Sequence, residues 1–138
     1  MKGLNIIAVF NKDFTHVLMC YRRKEPYKGK YNFVGGKIKD GENSLSAAYR
    51  ELREETGITS ADVTLKHFID FSYYHYNLKL EFYVGKLDRD MSVYGEENEL
   101  FWIPLTENFF DTDRFAGEGN IGSLLLYLTV TDTSITGE

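Results

Sequence analysis

Runs of apolar residues broken by short polar segments predict a β-hairpin at the start of the chain. Residues 6–10 and 17–21 are apolar and flank the turn 11–14, which is the pattern of two paired strands. A basic loop follows over residues 22–30. The short aromatic run 31–34 then ends at two consecutive glycines, which break the pattern.

Residues 43–56 have the period of an amphipathic helix. Apolar residues recur there at spacings of three and four and form one face. These residues are Leu45, Ala48, Tyr49 and Leu52. Asn43 or Ser44 can cap the first turn, and Gly57 stands where a helix typically ends.

Two long strands are predicted after the helix, over residues 63–76 and 78–87, with Asn77 as the turn residue between them. Apolar and polar side chains alternate in the second strand, so we expect one buried face and one wetter face. The expected wetter face is Lys79, Glu81 and Tyr83. Residues 101–105 are a further strand candidate, whereas 124–130 fit a helix or a strand. This order of elements predicts an α/β or α+β fold with a mixed sheet.

The composition is that of one globular domain spanning residues 1–138. Of the 138 residues, 43% are hydrophobic and 27% are charged, without repeats or low-complexity tracts. The net charge of −5 argues against a nucleic acid polymer as partner, because that partner favours a basic surface. Cys20 is the single cysteine, so no internal disulfide forms and a reducing compartment fits. The first apolar run is too short for a membrane span, so we expect a cytoplasmic protein without membrane association. We also expect a monomer or a homodimer.

Three glutamates project from one flank of the predicted helix. Glu51 and Glu55 lie one turn apart, and Glu54 lies beside them. Like charges at this spacing repel, and a divalent cation such as Mg²⁺ or Mn²⁺, which prefers oxygen ligands, removes the repulsion. Arg50 precedes the group and can orient one carboxylate through a two-pronged hydrogen bond. Taken alone, such an acidic run is more often a solvated helix face with surface salt bridges.

The residues around these glutamates complete a longer motif. Residues 36–58 match the spacing G-x5-E-x7-R-E-L-x-E-E-x-G-I, and the probability of a chance match in this chain is on the order of 10⁻⁸. Its specified positions are Gly36, Glu42, Arg50, Glu51, Leu52, Glu54, Glu55, Gly57 and Ile58. This motif is the Nudix box, and the chain resembles the Nudix hydrolase family without a departure inside the box. The resemblance implies an α/β/α sandwich with a mixed β-sheet.

The resemblance also implies roles for the box residues. Nudix enzymes hydrolyse a nucleoside diphosphate linked to another moiety, and they need Mg²⁺ or Mn²⁺. The implied metal-binding carboxylates are Glu51, Glu54 and Glu55. Arg50 then holds one of them in place, and Gly35, just before the box, offers its backbone carbonyl to the metal. The positions implied to be structural are Gly36, Glu42 and Gly57.

A second acidic segment, residues 96–99, resembles the family's acidic loop before an aromatic strand. Glu97 is the first choice for an added metal ligand or catalytic base, and Glu99 is the second. A solvated acidic turn explains the same residues. Because the catalytic base varies across the family, it is one of the box glutamates or a glutamate on this loop.

The segment before the box is similar to that of MutT-like enzymes, which act on oxidised purine nucleoside triphosphates. An aromatic–Asn pair lies near the base in those enzymes, and Tyr31 and Asn32 match it. The amide of Asn32 can read a purine edge with its donor and its acceptor, or it can simply satisfy a strand edge or turn. Arg23 in the basic loop is the candidate phosphate ligand, and a solvated loop is the alternative.

Residues 109–113 resemble the aromatic and acidic segment that contacts the base in these enzymes. Phe110 and Asp111 are the candidate contacts. The match departs from the family because Thr112 splits the acidic pair and the segment has no Trp. A helix N-cap at Asp111 or Asp113 explains the acidic residues equally well.

Together these features favour a Mg²⁺-dependent pyrophosphohydrolase that cleaves a nucleoside triphosphate to the monophosphate and pyrophosphate. An oxidised purine nucleotide such as 8-oxo-dGTP is the candidate substrate. A Nudix hydrolase of ADP-ribose, a dinucleoside polyphosphate or a nucleotide sugar is the alternative within the family. A nucleotide-sensing module without activity is the alternative of another class, and the intact box carboxylates argue against it.

Overall fold

The computed structural model describes residues 1–131 as a mixed sheet of six strands with two α-helices. The strands are β1 (Lys2–Phe10), β2 (His16–Tyr21), β3 (Tyr31–Asn32), β4 (Lys66–Tyr73), β5 (Leu78–Lys86) and β6 (Glu99–Pro104). The helices are α1 (Ser44–Thr56) and α2 (Asn120–Thr131). Residues 132–138, the last part of the domain predicted over 1–138, lie outside the described residues. Neither helix of the described part has the length and apolar character needed to cross a membrane.

The sheet is mixed because β1 runs parallel to β5 and antiparallel to β2. The strand order is β3-β2-β1-β5-β4, and β6 pairs antiparallel with β2. Strands β1 and β2 form the predicted hairpin. Strands β4 and β5 form the predicted second pair, with Asn77 in the left-handed conformation between them (φ 50°). Strand β4 is shorter than predicted, because Tyr74–Tyr76 form a 3₁₀ turn and the strand begins only at Lys66.

One helix and its own apolar core cover each face of the sheet, as the predicted α/β/α sandwich requires. The core under α2 contains Phe10, Phe82, Phe115 and Leu128. The core under α1 contains Ile7, Val9, Leu52 and Tyr83. The ambiguous run 124–130 lies within α2, where Leu124, Leu125 and Leu128 are buried.

The prediction that one face of β5 is exposed to water is wrong. Tyr83 is 3% exposed and Glu81 is 7% exposed. The reason is that α1 packs over this face, and the Ser44 hydroxyl at the start of α1 donates a hydrogen bond to the Glu81 carboxylate at 3.2 Å. Polar residues can be buried on a strand covered by a helix when their side chains are hydrogen-bonded. An alternating pattern in the sequence then does not indicate an exposed face.

Helix α1 begins and ends where the sequence predicts. The Asn43 side chain accepts a hydrogen bond from the Ser46 N–H at 3.1 Å and caps the first turn. Gly57 adopts the left-handed conformation and donates its N–H to the Arg53 carbonyl at 2.9 Å. The two ends therefore hold the carboxylate-bearing turns in a fixed register.

The buried face of α1 differs from the predicted one at its first turn. The residues that it buries are Ala47, Ala48, Leu52 and Thr56. Leu45, which the sequence pattern places on the apolar face, is 42% exposed. The buried residues Ala48, Leu52 and Thr56 are spaced four apart, and Leu45 lies to one side of the line that they form. Ala47 is buried in the first turns instead.

Candidate active site

The glycine pair Gly35–Gly36 lies between β1 and α1. The Gly36 carbonyl accepts a hydrogen bond from the Asn5 N–H of β1 at 2.8 Å. A Cβ on Gly35 (φ 144°) would overlap the Asn5 carbonyl oxygen, and a Cβ on Gly36 would lie 2.5 Å from the carboxyl carbon of Glu51. Glycine at both positions lets the first strand and the carboxylates of α1 approach from opposite sides.

Arg50 connects the loop before α1 to the box carboxylates. Its Nε and Nη2 donate to the two carboxylate oxygens of Glu42 at 2.7 and 3.0 Å. Its Nη1 donates to Glu51 at 3.1 Å and to Glu54 at 3.2 Å. The hydrogen bond from Arg50, followed by one from the Lys39 backbone N–H, lowers the pKa of Glu42 to about 2. Arg50 thus contacts two of the three carboxylates that the resemblance assigns to the metal.

Glu55 is half-buried and turns toward the glycine pair. Its Oε2 accepts the Gly35 N–H at 2.9 Å. Burial, with a smaller contribution from the nearby Glu51 and Glu97 carboxylates, raises the pKa of Glu55 to about 7, although the Gly35 N–H opposes the rise. The Tyr94 N–H donates to the Thr56 carbonyl at 3.3 Å, so the segment that leads into the acidic loop lies against the end of α1, and Glu97 itself is exposed.

The box carboxylates are engaged with protein groups in this arrangement. Glu51 and Glu54 face Arg50, and Glu55 faces the Gly35 N–H. Consistent with this, the described residues 1–131 contain no three His, Cys, Asp or Glu side chains already gathered to hold a metal ion. Joint coordination of a cation would need at least part of these carboxylates to turn away from Arg50.

The basic loop 22–30 is fastened to the acidic loop. The Arg23 N–H donates to Oδ1 of Asn98 at 3.1 Å. The neighbouring Arg22 lies near enough to Glu55 that its positive charge partly offsets the rise in the pKa of Glu55. The Arg23 side chain is exposed, and its predicted contact with phosphate stays a prediction.

Tyr31 and Asn32 form the short strand β3 beside β2. The Tyr31 ring packs in an aromatic cluster whose other members are Tyr21, Phe101 and Phe115. Asn32 pairs with Cys20 of β2, and its Oδ1 accepts the Phe33 N–H at 2.8 Å. The local backbone role considered for Asn32 is therefore present, and its amide NH₂ group remains the donor that a base edge can meet.

Phe110 packs away from the carboxylates, at the end of the sheet where the turn joins β1 to β2 (the hairpin end). Its ring contacts the backbone of Gly122 in α2 so closely that a Cβ there would lie 2.7 Å from the ring. It lines an apolar groove together with Phe10 and Phe14. Because Phe10 is five residues from Asn5 along β1, this groove lies roughly 16 Å along the strand from the glycine pair. The structure thus separates Phe110 from the box.

Asp111 belongs to a turn that adjoins β3. Its Oδ1 accepts the Asp113 N–H at 3.0 Å. A helix N-cap at this point is wrong, because the described chain enters α2 only at Asn120. The turn is tied to β3 through the Arg114 carbonyl, which accepts the Tyr31 N–H at 2.8 Å.

Two asparagines that the sequence analysis passed over hold these pieces together. Asn5 binds Gly36 from β1, and Asn98 binds the basic loop from the acidic loop. A signal for Asn5 is present in the sequence, because asparagine is depleted in strands and this one stands in an apolar run. Asn98 is the uncharged residue in an acidic run, which is a weaker signal.

Comparisons with known proteins identify the family of this chain. The model of the NUDIX domain matches residues 1–120. An 8-oxo-dGTP diphosphatase of Buchnera aphidicola subsp. Acyrthosiphon pisum (strain APS) is 38% identical over 64 residues, which are 43% of this chain and 52% of that protein. The match thus spans about half the length of this relative. An 8-oxo-dGTP diphosphatase of Buchnera aphidicola subsp. Schizaphis graminum (strain Sg) is 28% identical over 110 residues, or 78% of this chain and 82% of that protein.

The fold is also found among solved structures. A MutT structure from work on the Aliivibrio salmonicida and Vibrio cholerae proteins superposes with a TM-score of 0.72, covering 94% of this chain and 98% of that one. The identity is 23%, so this likeness speaks for the fold alone. Because the domain model spans the sheet, the complete box and the glycine pair, the chain belongs to the Nudix hydrolase family, with MutT-like relatives.

Proposed function

We propose that this protein is a divalent-metal-dependent pyrophosphohydrolase of nucleoside triphosphates, with an oxidised purine nucleotide such as 8-oxo-dGTP as its substrate. The observation that carries the proposal is the position of Glu51 and Glu55 at the glycine pair, with Arg50 joining Glu51 to Glu54. The similarity to two 8-oxo-dGTP diphosphatases supports the substrate class.

The residues present fit Mg²⁺ or Mn²⁺. All the candidate ligands are carboxylates or a backbone carbonyl, which are hard oxygen donors. Burial and two neighbouring carboxylates raise the pKa of Glu55 to about 7, so the unprotonated site carries uncompensated negative charge that a cation would offset. Glu51, Glu54, Glu55 and the Gly35 carbonyl would hold the metal, and Glu97 would join them from the acidic loop.

The reaction adds water across one phosphoanhydride bond. A bound divalent cation would screen the phosphates and lower the pKa of a bound water. One P–O bond forms to the water oxygen, the bond to the bridging oxygen breaks, and pyrophosphate leaves. Glu55, which lies at the glycine pair, and Glu97, on the acidic loop, are the candidates to take the proton of the attacking water. Arg50 keeps Glu51 and Glu54 oriented during this step.

The proposal for the base concerns the segment beside β3. The Asn32 amide meets the purine edge, and the turn at Asp111 adjoins β3 through Tyr31. Phe110 lies in a separate groove, so we assign it no contact with the base. Arg23 of the basic loop remains the candidate for a phosphate contact, because its side chain is exposed, whereas the Nε of Arg22 donates to the Pro26 carbonyl at 3.0 Å.

The test is a release assay for pyrophosphate and phosphate with Mg²⁺ and with Mn²⁺. The substrates are the normal and 8-oxo nucleoside triphosphates, ADP-ribose, diadenosine polyphosphates and nucleotide sugars. We expect pyrophosphate release with preference for an oxidised purine triphosphate. Preference for a linked diphosphate would contradict the substrate but keep the metal site. Tight nucleotide binding without hydrolysis of any substrate would contradict the enzymatic role and favour a sensor.

A further inference from the structure

A buried polar residue stands in the first strand where apolar residues would be expected. Asn5 is 3% exposed and lies between Leu4 and Ile6 in β1. Asparagine is depleted in strands, and a buried polar side chain costs stability unless it is hydrogen-bonded. Asn5 contacts the glycine pair in front of the box, so its burial places it directly behind the candidate metal site.

Two hydrogen bonds join Asn5 to Gly36. The Asn5 N–H donates to the Gly36 carbonyl at 2.8 Å, which is a backbone bond that any residue other than proline could make. The Gly36 N–H donates to Oδ1 of Asn5 at 2.9 Å, and this second bond needs the asparagine side chain. The second bond is therefore the specific contribution of Asn5.

This second bond fixes the direction of the Gly35 carbonyl. The Gly36 N–H and the Gly35 C=O belong to one peptide group, which is planar, and the only cis peptide bond among residues 1–131 is Glu25–Pro26. In a trans peptide the N–H and the C=O point in opposite directions. When Asn5 holds the Gly36 N–H, the Gly35 carbonyl must point away from the Asn5 side chain.

The carboxylates of α1 approach the same glycine pair. Glu55 accepts the Gly35 N–H at 2.9 Å, and the Glu51 carboxylate lies against the Cα of Gly36. The glycine pair is thus held from β1 by Asn5 and from α1 by two glutamates. Asn5 lies outside the box, and its hydrogen bond to the Gly36 N–H fixes the orientation of the Gly35 carbonyl.

The other end of the Asn5 amide argues against a purely structural role. Its Nδ2 is buried and has no hydrogen-bond partner among the described residues. An unpaired buried donor destabilises the fold, which offsets what the Oδ1 bond contributes to stability. A buried amide with one end unpaired contributes little to stability, so its orienting bond to Gly36 is its better explanation.

We propose that Asn5 is a positioning residue that orients the Gly35 carbonyl toward a divalent cation. The inference rests on the proposed function, because it requires the metal site. Asn5→Leu is the variant for the test, since leucine has a similar volume and removes both the acceptor and the unpaired donor. The matched control is Ser44→Ala, which removes a hydrogen bond to Glu81 at the start of α1 without touching the glycine pair.

The measurement is the affinity for Mn²⁺ alone, from the electron paramagnetic resonance signal of free Mn²⁺ during titration of nucleotide-free protein. We expect Asn5→Leu to bind Mn²⁺ about 10- to 100-fold more weakly, and Ser44→Ala to bind like the wild type. The melting temperature without metal should stay within a few degrees of the wild type. Equal Mn²⁺ affinity in a folded Asn5→Leu protein would overturn the proposal.

A measurement on the wild type covers the case in which Asn5→Leu fails to fold. Mg²⁺ addition should shift the carbonyl ¹³C resonance of Gly35 while the Gly36 amide proton stays protected from exchange. An unmoved Gly35 resonance at saturating Mg²⁺ would overturn the proposal. A wild type that binds Mn²⁺ but hydrolyses none of the substrates refutes the proposed function alone, whereas a wild type that binds no metal refutes both.

Discussion

The Glu55 carboxylate accepts a hydrogen bond from the Gly35 N–H at 2.9 Å, although the two residues are 20 positions apart in the chain. This contact closes the loop between β3 and α1 and brings a box carboxylate to the glycine pair. Burial of the carboxylate there, together with the nearby Glu51 and Glu97, raises its pKa to about 7, although the Gly35 N–H itself opposes the rise. The position of Glu55 at the glycine pair therefore sets both its geometry and its electrostatics.

Replacing Glu54 by glutamine should lower turnover by about 10³-fold and leave the fold intact. Glu54 is exposed on α1, so its contribution to stability is small, but a metal-binding charge is lost. The matched control is Arg53→Gln, which also removes a charge from an exposed position of the same helix. The check is kcat in the pyrophosphate release assay. Normal turnover in Glu54→Gln would refute the metal role.

The stability of the metal-free protein should depend on pH through Glu55. Its pKa is raised from 4.5 to about 7, so the folded state binds the proton more tightly than the unfolded state. Stability from this group is present below about pH 4.5 and is lost as the pH rises through about 7. Glu55→Gln, which stays neutral, should therefore be more stable than the wild type at pH 8 by about 1–3 kcal/mol.

Urea unfolding with a chelator at pH 5 and at pH 8 checks this prediction. Glu42 acts with the opposite sign, because its pKa is lowered to about 2 by Arg50 and its contribution is lost as the pH falls. The informative quantity is therefore the difference in unfolding free energy between Glu55→Gln and the wild type. A difference that does not grow between pH 5 and pH 8 would contradict the raised pKa of Glu55.

The two glycines should respond differently to alanine. In Gly35→Ala the new methyl meets the Asn5 backbone at a positive φ, so unfolding should become easier by about 3 kcal/mol or more. In Gly36→Ala the nearest atoms to the methyl belong to the movable Glu51 carboxylate, so the fold should persist while turnover falls about 10- to 100-fold. Urea unfolding and kcat separate the two effects. A Gly36→Ala protein with wild-type turnover would show that the present position of Glu51 is not needed.

Replacing Asn32 by alanine should raise KM and change the preference between normal and oxidised bases. The reason is that the amide loses its contact with the purine edge, while the carboxylates of α1 are untouched. Asn11→Ala is the control, because its amide caps a turn at the far end of β1. The ratio of kcat/KM for 8-oxo-dGTP and dGTP is the measurement. An unchanged ratio in Asn32→Ala would exclude Asn32 as the residue that reads the base.

The sequence alone determined the parts that depend on neighbours a few positions away. Helix α1 lies where its period predicts it, between the Asn43 cap and Gly57. Its period also places Glu51, Glu54 and Glu55 on one flank, with Arg50 beside them. These features follow from local backbone geometry, in which residues three and four positions apart are neighbours on a helix.

Only the tertiary structure decided which distant residues meet. It buried Tyr83 and Glu81 on the face of β5 that reads as wet, because α1 packs there. It moved Phe110 to the groove at the hairpin end, although its sequence neighbourhood resembles a base-binding segment. It also brought Asn5 behind the glycine pair. Such contacts join residues far apart in the chain, and they depend on how the sheet and helices pack, which no local pattern of residue types records.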